Sequence, residues 1–376
     1  MSQTIDKIDE VAKHYGFKIT RERATHLDGD IFLRPEEKMS ILRNYSRADK
    51  RKEAEVAMLY HNQALLTNNR LRKKTFSRFK NFNFDIFGVS NGIAEATIIH
   101  TAVAALNEEG FENVCVDINS AGDKESFLNF KNGLFEYYKN HTAELHPNCR
   151  TFHKKNVFDL LFCPHKECRA VREDAPKPIY FLSNESQKHL REILEYLESM
   201  RIAYRINNFL LSRHNYFSKI IFEIKTEQQT GGGQREEILL GRGGRYDELA
   251  KKIIRKRNAL AVGISLGFKQ IKNNQTPSIP SRKPKFYFIQ FGQEAKLRSL
   301  PIIELLRGAQ ISIRQDLHIN KFSEQIEIAK KLKMPYAIIL GQKEAVENTI
   351  IVKDLREVTQ KVVKINDLLP YLKQLR

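Results

Sequence analysis

Two pairs of soft metal ligands, His146-x-x-Cys149 and Cys163-x-x-x-x-Cys168, stand close together in the middle of the chain. Grouped in this way, two pairs can close a tetrahedral zinc site, which stabilises a small unit lacking a core of its own. The second pair is spaced more loosely than a zinc knuckle, His153 and His165 are competing ligands, and buried or unused thiols are the alternative. A second chemistry is offered by Asn68 to Lys80, where Arg70, Arg72, Lys73, Lys74 and Arg78 are mixed with Phe76 and Phe79. Such a run suits a nucleic-acid backbone as well as it suits a solvated loop. A third stretch is Gly241-Arg242-Gly243-Gly244-Arg245-Tyr246-Asp247. Paired glycines after an apolar run let backbone approach a flat ligand or another strand, although a tight turn is the plainer reading.

These residues need elements to hold them. A chain of 376 residues exceeds one ordinary core and predicts two or three domains. It contains no apolar run near the length of a membrane span, and Met1 to Asp6 lack the pattern of a secretion signal, so a cytoplasmic protein is expected. With no export signal, the four cysteines point to metal or bystander thiols before disulfides. The formal charge of +18 favours polyanionic partners, of which nucleic acid is the commonest.

Periodicity predicts an amphipathic helix over 5–15, a short strand over 16–20, and a strand over 31–36 ended by Pro35. A helix follows through Met39, Ile41, Leu42 and Tyr45; then come a strand over 81–88, an amphipathic helix over 94–107 and a strand over 114–120. Leu190, Ile193, Leu194, Leu197 and Met200 line one face of a helix over 185–201. Lys219 to Ile224 and Ile238 to Leu240, joined by a loop with glycines at 231–233, read as a hairpin. A polar, proline-bearing linker runs from Asn273 to Pro284, and beyond it strands alternate with helices, predicting a small, mostly parallel sheet. No phosphate loop or Cys-x-x-Cys supports a flavodoxin-like or redox reading of that sheet.

The order strand, Gly-Gly-Arg-Tyr-Asp, then Ala261-Val262-Gly263 to Gly267-Phe268 closely resembles the third motif of class II aminoacyl-tRNA synthetases of the histidyl type. Ile118-Asn119-Ser120-Ala121-Gly122 resembles the Asn-Ser-x-Gly turn of histidyl-tRNA synthetases. Leu33-Arg34-Pro35-Glu36 is similar to the segment that places a carboxylate against the substrate's α-amino group, which assigns that role to Glu36. Here Glu37-Lys38 replaces the family's Gly-Thr, so a hydroxyl contact is gone. Within the second motif Asn81 stands where the family's glutamine contacts the substrate, and Asp85 where a glutamate meets the imidazole. Gly243, Gly244, Arg245 and Tyr246 complete the implied amino-acid pocket, with Tyr216 kept from the family's Leu-Val-Arg-Gly-Leu-Asp-Tyr-Tyr signature.

Three phosphate-directed arginines of the family are replaced, by Thr67, Ser212 and Gln270. Losing one preorganised donor of this kind costs on the order of 3–4 kcal/mol in the transition state. Replacements would have to come from Arg70, Arg72, Lys73, Lys74, Arg213 or Lys269; Arg213 is one residue late on its strand, which turns it to the opposite face. Some bacterial relatives carry Cys-x-x-Cys and Cys-x-x-x-x-Cys where this chain has its two ligand pairs. Fewer than twenty residues remain for the first motif, which builds the family's dimer interface, and this puts homodimerisation in the family manner in doubt. Residues Ile339 to Glu344 and Val352 to Leu355 resemble the family's anticodon-binding domain.

The resemblance implies an α+β fold: a class II antiparallel sheet flanked by helices (residues 1–126 and 186–270), an insertion (127–185), a linker (271–285) and a C-terminal α/β anticodon-binding-like domain (286–376). The expected function is binding of tRNA or another RNA with histidine adenylation lost or weak. One alternative is an active histidine–tRNA ligase, which alone would need ATP and magnesium; histidine is a candidate partner beside the RNA. The other is a regulatory subunit of ATP phosphoribosyltransferase, which neither the anticodon-type domain nor the basicity favours.

Overall fold

The computed structural model describes residues 7–20, 35–49, 56–66, 78–211, 217–229, 235–256, 258–269, 283–357 and 359–375. The expected strand over 31–36, the basic residues 67–77, residues 212–216 and most of the linker therefore fall outside the described residues, wholly or in large part.

The first unit opens with α1 (Lys7–His14), β1 (Lys18–Thr20), α2 (Pro35–Asp49), β2 (Ala57–Leu66) and β3 (Arg78–Phe87). It continues with α3 (Ile93–Glu108), β4 (Val114–Gly122), then α4 (Lys124–Asn140), α5 (Phe152–Lys155), α6 (Phe158–Leu161) and α7 (Lys166–Glu173). It closes with α8 (Asn184–Ser199), β5 (Tyr204–Ile206), β6 (Ser218–Gln229), β7 (Arg235–Arg245), α9 (Asp247–Ile254) and β8 (Ala261–Lys269). Its eight strands form one sheet in the order β1-β2-β3-β8-β7-β6-β4-β5. The inner pairings are antiparallel, and only the short edge strands β1 and β5 run parallel to their neighbours.

The period-2 alternation of β3 decides which layer each residue meets. Phe82, Phe84 and Ile86 enter the main core with Ile98, Ile193 and Phe222. On the other side Phe87 joins Ile41, Leu42, Tyr246 and Ala250, the contact surface of α2 and α9. Asn81, Asn83 and Asp85 share that second side and are buried there. The helix over α3 differs from the amphipathic expectation: residues 93–102 are all buried, because the helix packs against α1, α8, β3 and β8 at once. Between β4 and α8 the chain is wholly helical and carries its own small core around Phe130, Leu134, Tyr138 and Leu160.

The second unit comprises β9 (Phe286–Gln290), α10 (Gln293–Gly308), β10 (Ile313–Gln315), α11 (Phe322–Lys331), β11 (Tyr336–Leu340), α12 (Gln342–Glu347), β12 (Thr349–Asp354), β13 (Gln360–Lys364) and α13 (Leu368–Gln374). Its strand order is β10-β9-β11-β12-β13. The mostly parallel sheet expected from the alternating pattern is corrected to a mixed one. β10, β9 and β11 are parallel, whereas β12 and β13 run antiparallel. A parallel crossover needs about a dozen residues; residues 341–348 are too few, so β12 folds straight back on β11. The two units meet where α10 lies against α8, α3 and α1. His14 Nε2 lies 3.0 Å from the Ile303 carbonyl, Arg307 donates to Glu108 at 2.7 Å, and Gln315 donates to the Tyr15 carbonyl at 2.8 Å.

Candidate functional site

The first group of functional side chains lies at the middle of the large sheet, where β3, β8 and β7 run side by side. Asp85 pairs in register with Gly263 on β8. A Cβ at Gly263 would sit 2.0 Å from Asp85 Oδ1 and 2.9 Å from the Phe84 carbonyl, so a glycine is what lets the carboxylate lie across that strand. Lys38, on α2, donates to Asp85 Oδ1 at 2.5 Å, and the Tyr246 hydroxyl donates to the same oxygen at 2.6 Å. The ammonium also lies 5.5 Å from the centre of the Tyr246 ring. All three side chains are fully buried. Beside them Asn83 donates to Asn81 at 2.7 Å, while Asp85 Oδ2 and Asn83 Oδ1 are buried acceptors without a hydrogen-bond partner among the described residues. Chemically this is an acceptor-lined site for a cation or an N–H group, and the chain's own lysine stands in it.

Arg245, assigned by resemblance to the same pocket, is committed elsewhere. Its Nε and Nη2 bond both oxygens of Glu95 at 2.6 and 2.8 Å, and Nη1 donates to the Val89 carbonyl at 2.9 Å. His189 reaches Glu95 Oε1 at 3.0 Å. Burial alone would raise the Glu95 carboxyl, but the Arg245 charge and the His189 hydrogen bond outweigh it and hold the group at about 2. The clamp ties the end of β7 to α3. Gly243 and Gly244 admit neighbouring strands: a Cβ at Gly243 would meet Phe222 at 2.5 Å and the Gly263 carbonyl at 2.7 Å, and one at Gly244 would meet the Ile220 carbonyl at 2.5 Å. The turn offered as the plain reading of the glycine pair gives way to strand, because both residues pair on each side.

Lys269 lies at the exposed end of β8, six strand residues beyond Gly263, or about 20 Å at the ordinary rise. It is therefore separated from the Asp85 group. Glu36 falls in the first turn of α2, with its side chain outside the described residues, as are Arg70, Arg72, Lys73, Lys74, Arg213 and Tyr216.

The second group is the soft-ligand cluster. Ligand atoms of Cys149, Cys163, His165 and Cys168 all lie within 4.8 Å of one another. The grouping takes His165 in place of His146, which instead stacks face to face on His165 with ring centres 3.8 Å apart. The reason is local: His165 stands at the position before α7, just two residues after Cys163, whereas His146 precedes the short turn that delivers Cys149. Burial pushes the Cys149 thiol up to about 12 and also raises Cys168. At Cys163 burial acts in the same sense, but hydrogen bonds from the His165 backbone and ring prevail and lower it.

The sequence marks the positions, though not the partners, of two further side chains central to this geometry. Lys38 precedes Ile41, Leu42 and Tyr45 by three, four and seven residues, which places it on the inward face of α2. Glu95 sits inside a helix that is otherwise apolar on nearly every side.

Comparison with known proteins agrees with the architecture. Residues 165–271 match a family model described as "Histidyl-tRNA synthetase", and residues 287–375 one described as "Anticodon binding domain". A histidine–tRNA ligase of Vesicomyosocius okutanii is 28% identical over 350 residues, covering 92% of this chain and 81% of that one. One from Desulforamulus reducens is 26% identical, covering 92% and 82% respectively. A crystal structure of apo histidyl-tRNA synthetase from S. aureus has the same fold, with a TM-score of 0.51 and 18% identity over 97% of this chain and 93% of that one.

Proposed function

The chain belongs to the histidyl-tRNA synthetase family, and from that premise we propose that it is a cytoplasmic RNA-binding member in which histidine adenylation has been lost. The reading rests on one observation, the buried Lys38–Asp85 ion pair. Asp85 stands at the position that meets the substrate imidazole in the family, and a cation supplied by α2 already holds it. A substrate that needs Oδ1 would have to pull the carboxylate away from a buried ammonium. Leaving one partner of such a pair unmatched costs about 3–5 kcal/mol, or roughly two to four powers of ten in affinity. The replacements at Thr67, Ser212 and Gln270 act in the same direction, each on the order of 10²–10³ in rate.

What the family fold retains for RNA is the C-terminal unit. Arg314, Lys321, Lys330, Lys331, Lys361 and Lys364 are exposed there, in a chain whose net charge is +18. Binding through phosphates should weaken steeply with salt. With about five or six contacts, raising salt fourfold lowers affinity roughly a thousandfold. Titration of labelled tRNA at increasing salt tests this. Steep weakening, flattened by Lys73→Glu with Lys74→Glu, supports the reading; absent or salt-insensitive binding overturns it.

One observation favours a second reading, in which histidine still binds. Asp85 Oδ2 and Asn83 Oδ1 are unpartnered buried acceptors, and an imidazole N–H would satisfy one of them. Calorimetric titration with histidine separates the two: saturable heat supports the second reading, and a flat trace the first.

A further inference from the structure

We propose that Cys149, Cys163, His165 and Cys168 bind one zinc ion that holds the helical insertion together, whatever the fate of adenylation. The distances carry this inference. Cys149 and Cys163 Sγ are 3.5 Å apart, and His165 Nδ1 lies 3.1 Å from Cys163 Sγ and 3.4 Å from Cys149 Sγ. A tetrahedral zinc ion with ordinary bond lengths requires ligand edges of about 3.8 Å between sulfurs and about 3.6 Å from sulfur to nitrogen. These three edges need to open by only a few tenths of an ångström to receive it, and Cys168 Sγ lies within 4.8 Å of all three atoms. A disulfide would need its sulfurs at about 2.05 Å, and all four cysteines are free.

The donor set has the composition of a closed structural site. Three thiolates and one imidazole suit zinc better than hard cations. The three sulfurs are buried and His165 is half-buried, which leaves no open position for a substrate. On binding, each cysteine loses its thiol proton to solvent as a Zn–S bond forms. His165, neutral, donates its Nδ1 lone pair, and the zinc ion keeps its oxidation state. His146 packs flat on the liganding ring and is excluded from the shell. Its Nδ1 is buried without a partner.

The insertion has a use for such a tie. Its separate core includes three cysteines among twelve buried residues. α5 and α6 are four residues each, single turns that are marginal without tertiary support. The ligands come from three places: the turn ending at Cys149, the bend at Cys163 and His165, and the first turn of α7 at Cys168. One ion therefore joins the segments before α5, after α6 and inside α7, as expected where a small core needs a staple.

The test uses the full chain, purified without chelator and analysed for metal by mass spectrometry, then stripped and reloaded with Co²⁺. The proposal expects about one zinc per chain, and visible absorption of tetrahedral cobalt with a thiolate charge-transfer band. His165→Ala should lose most of the metal, while His146→Ala should retain it. Folded wild-type protein with substoichiometric zinc and no tetrahedral cobalt spectrum would overturn the site. Retention of zinc by His165→Ala with loss by His146→Ala would overturn the ligand set. The cobalt spectrum needs no variant, so a substitution that fails to fold does not spoil the test.

Discussion

Replacing Lys38 with methionine keeps most of the side-chain volume and removes the charge that neutralises Asp85. In the native structure Asp85 Oδ1 receives both the Lys38 ammonium and the Tyr246 hydroxyl, and Oδ2 receives no donor among the described residues. After the substitution a fully buried carboxylate retains only the tyrosine. Stranding one member of a buried pair costs about 3–5 kcal/mol. For a domain of this size each kcal/mol moves the melting midpoint by about 2–4 °C, so the loss should be roughly 6–20 °C. The chain has no tryptophan, so far-UV circular dichroism is the natural probe. Asp85→Asn alone strands the ammonium and should lose a similar amount. The double variant, with no charge left to strand, should recover most of the stability. Lys38→Ala goes further by leaving a cavity lined by an acceptor. Butylammonium or imidazolium at about one hundred times its dissociation constant should restore about 2.7 kcal/mol. Single losses below about 1 kcal/mol, or losses that simply add in the double variant, would refute the coupling.

Further outcomes follow from the same geometry. Glu95→Gln removes the carboxylate that clamps Arg245 and leaves Asp247, 3.5 Å away, as its remaining counter-charge, so it should cost up to about 3–5 kcal/mol, read as a lower urea midpoint. Because Glu95 is held at about 2, below its ordinary value near 4.3, the pair's contribution is complete above about pH 4.3 and disappears as pH falls toward 2. Wild type should therefore lose stability more steeply than Glu95→Gln across that window. His14 carries the opposite charge type. Burial pushes it down to about 4, so the neutral ring suits the folded state, and stability is full above about pH 6.5 and declines toward pH 4. His14→Gln, which can still donate to Ile303, should flatten that decline in a pH series of urea melts.

The amino-acid pattern carried much of this structure and lost some of it for identifiable reasons. The face of α8 was legible because Leu190, Ile193 and Leu197 recur at helical spacing and are buried together. β13 was not, since in Gln360-Lys361-Val362-Val363-Lys364 only Val363 is buried and polar residues hide the strand. Spacing also identified the two ligand pairs, His146 with Cys149 and Cys163 with Cys168, but it cannot distinguish a histidine that reaches into a cluster from one that stacks on its neighbour. Arg245 shows the same limit. Its neighbours fixed its strand, while its partner, Glu95, lies 150 positions away and only the packed helix reveals it. Lys38 was marked by its inward helical position, yet a lone charge at a helix start reads as solvated until the carboxylate opposite is seen.

On the reading proposed, this fold has kept RNA binding and given up histidine activation. The most direct test is histidine-dependent exchange of pyrophosphate into ATP, with magnesium and without tRNA, on protein that unfolds cooperatively and binds tRNA. The account predicts no exchange above the histidine-free background. A clear histidine-specific signal would contradict it and make the chain a ligase that works around Lys38.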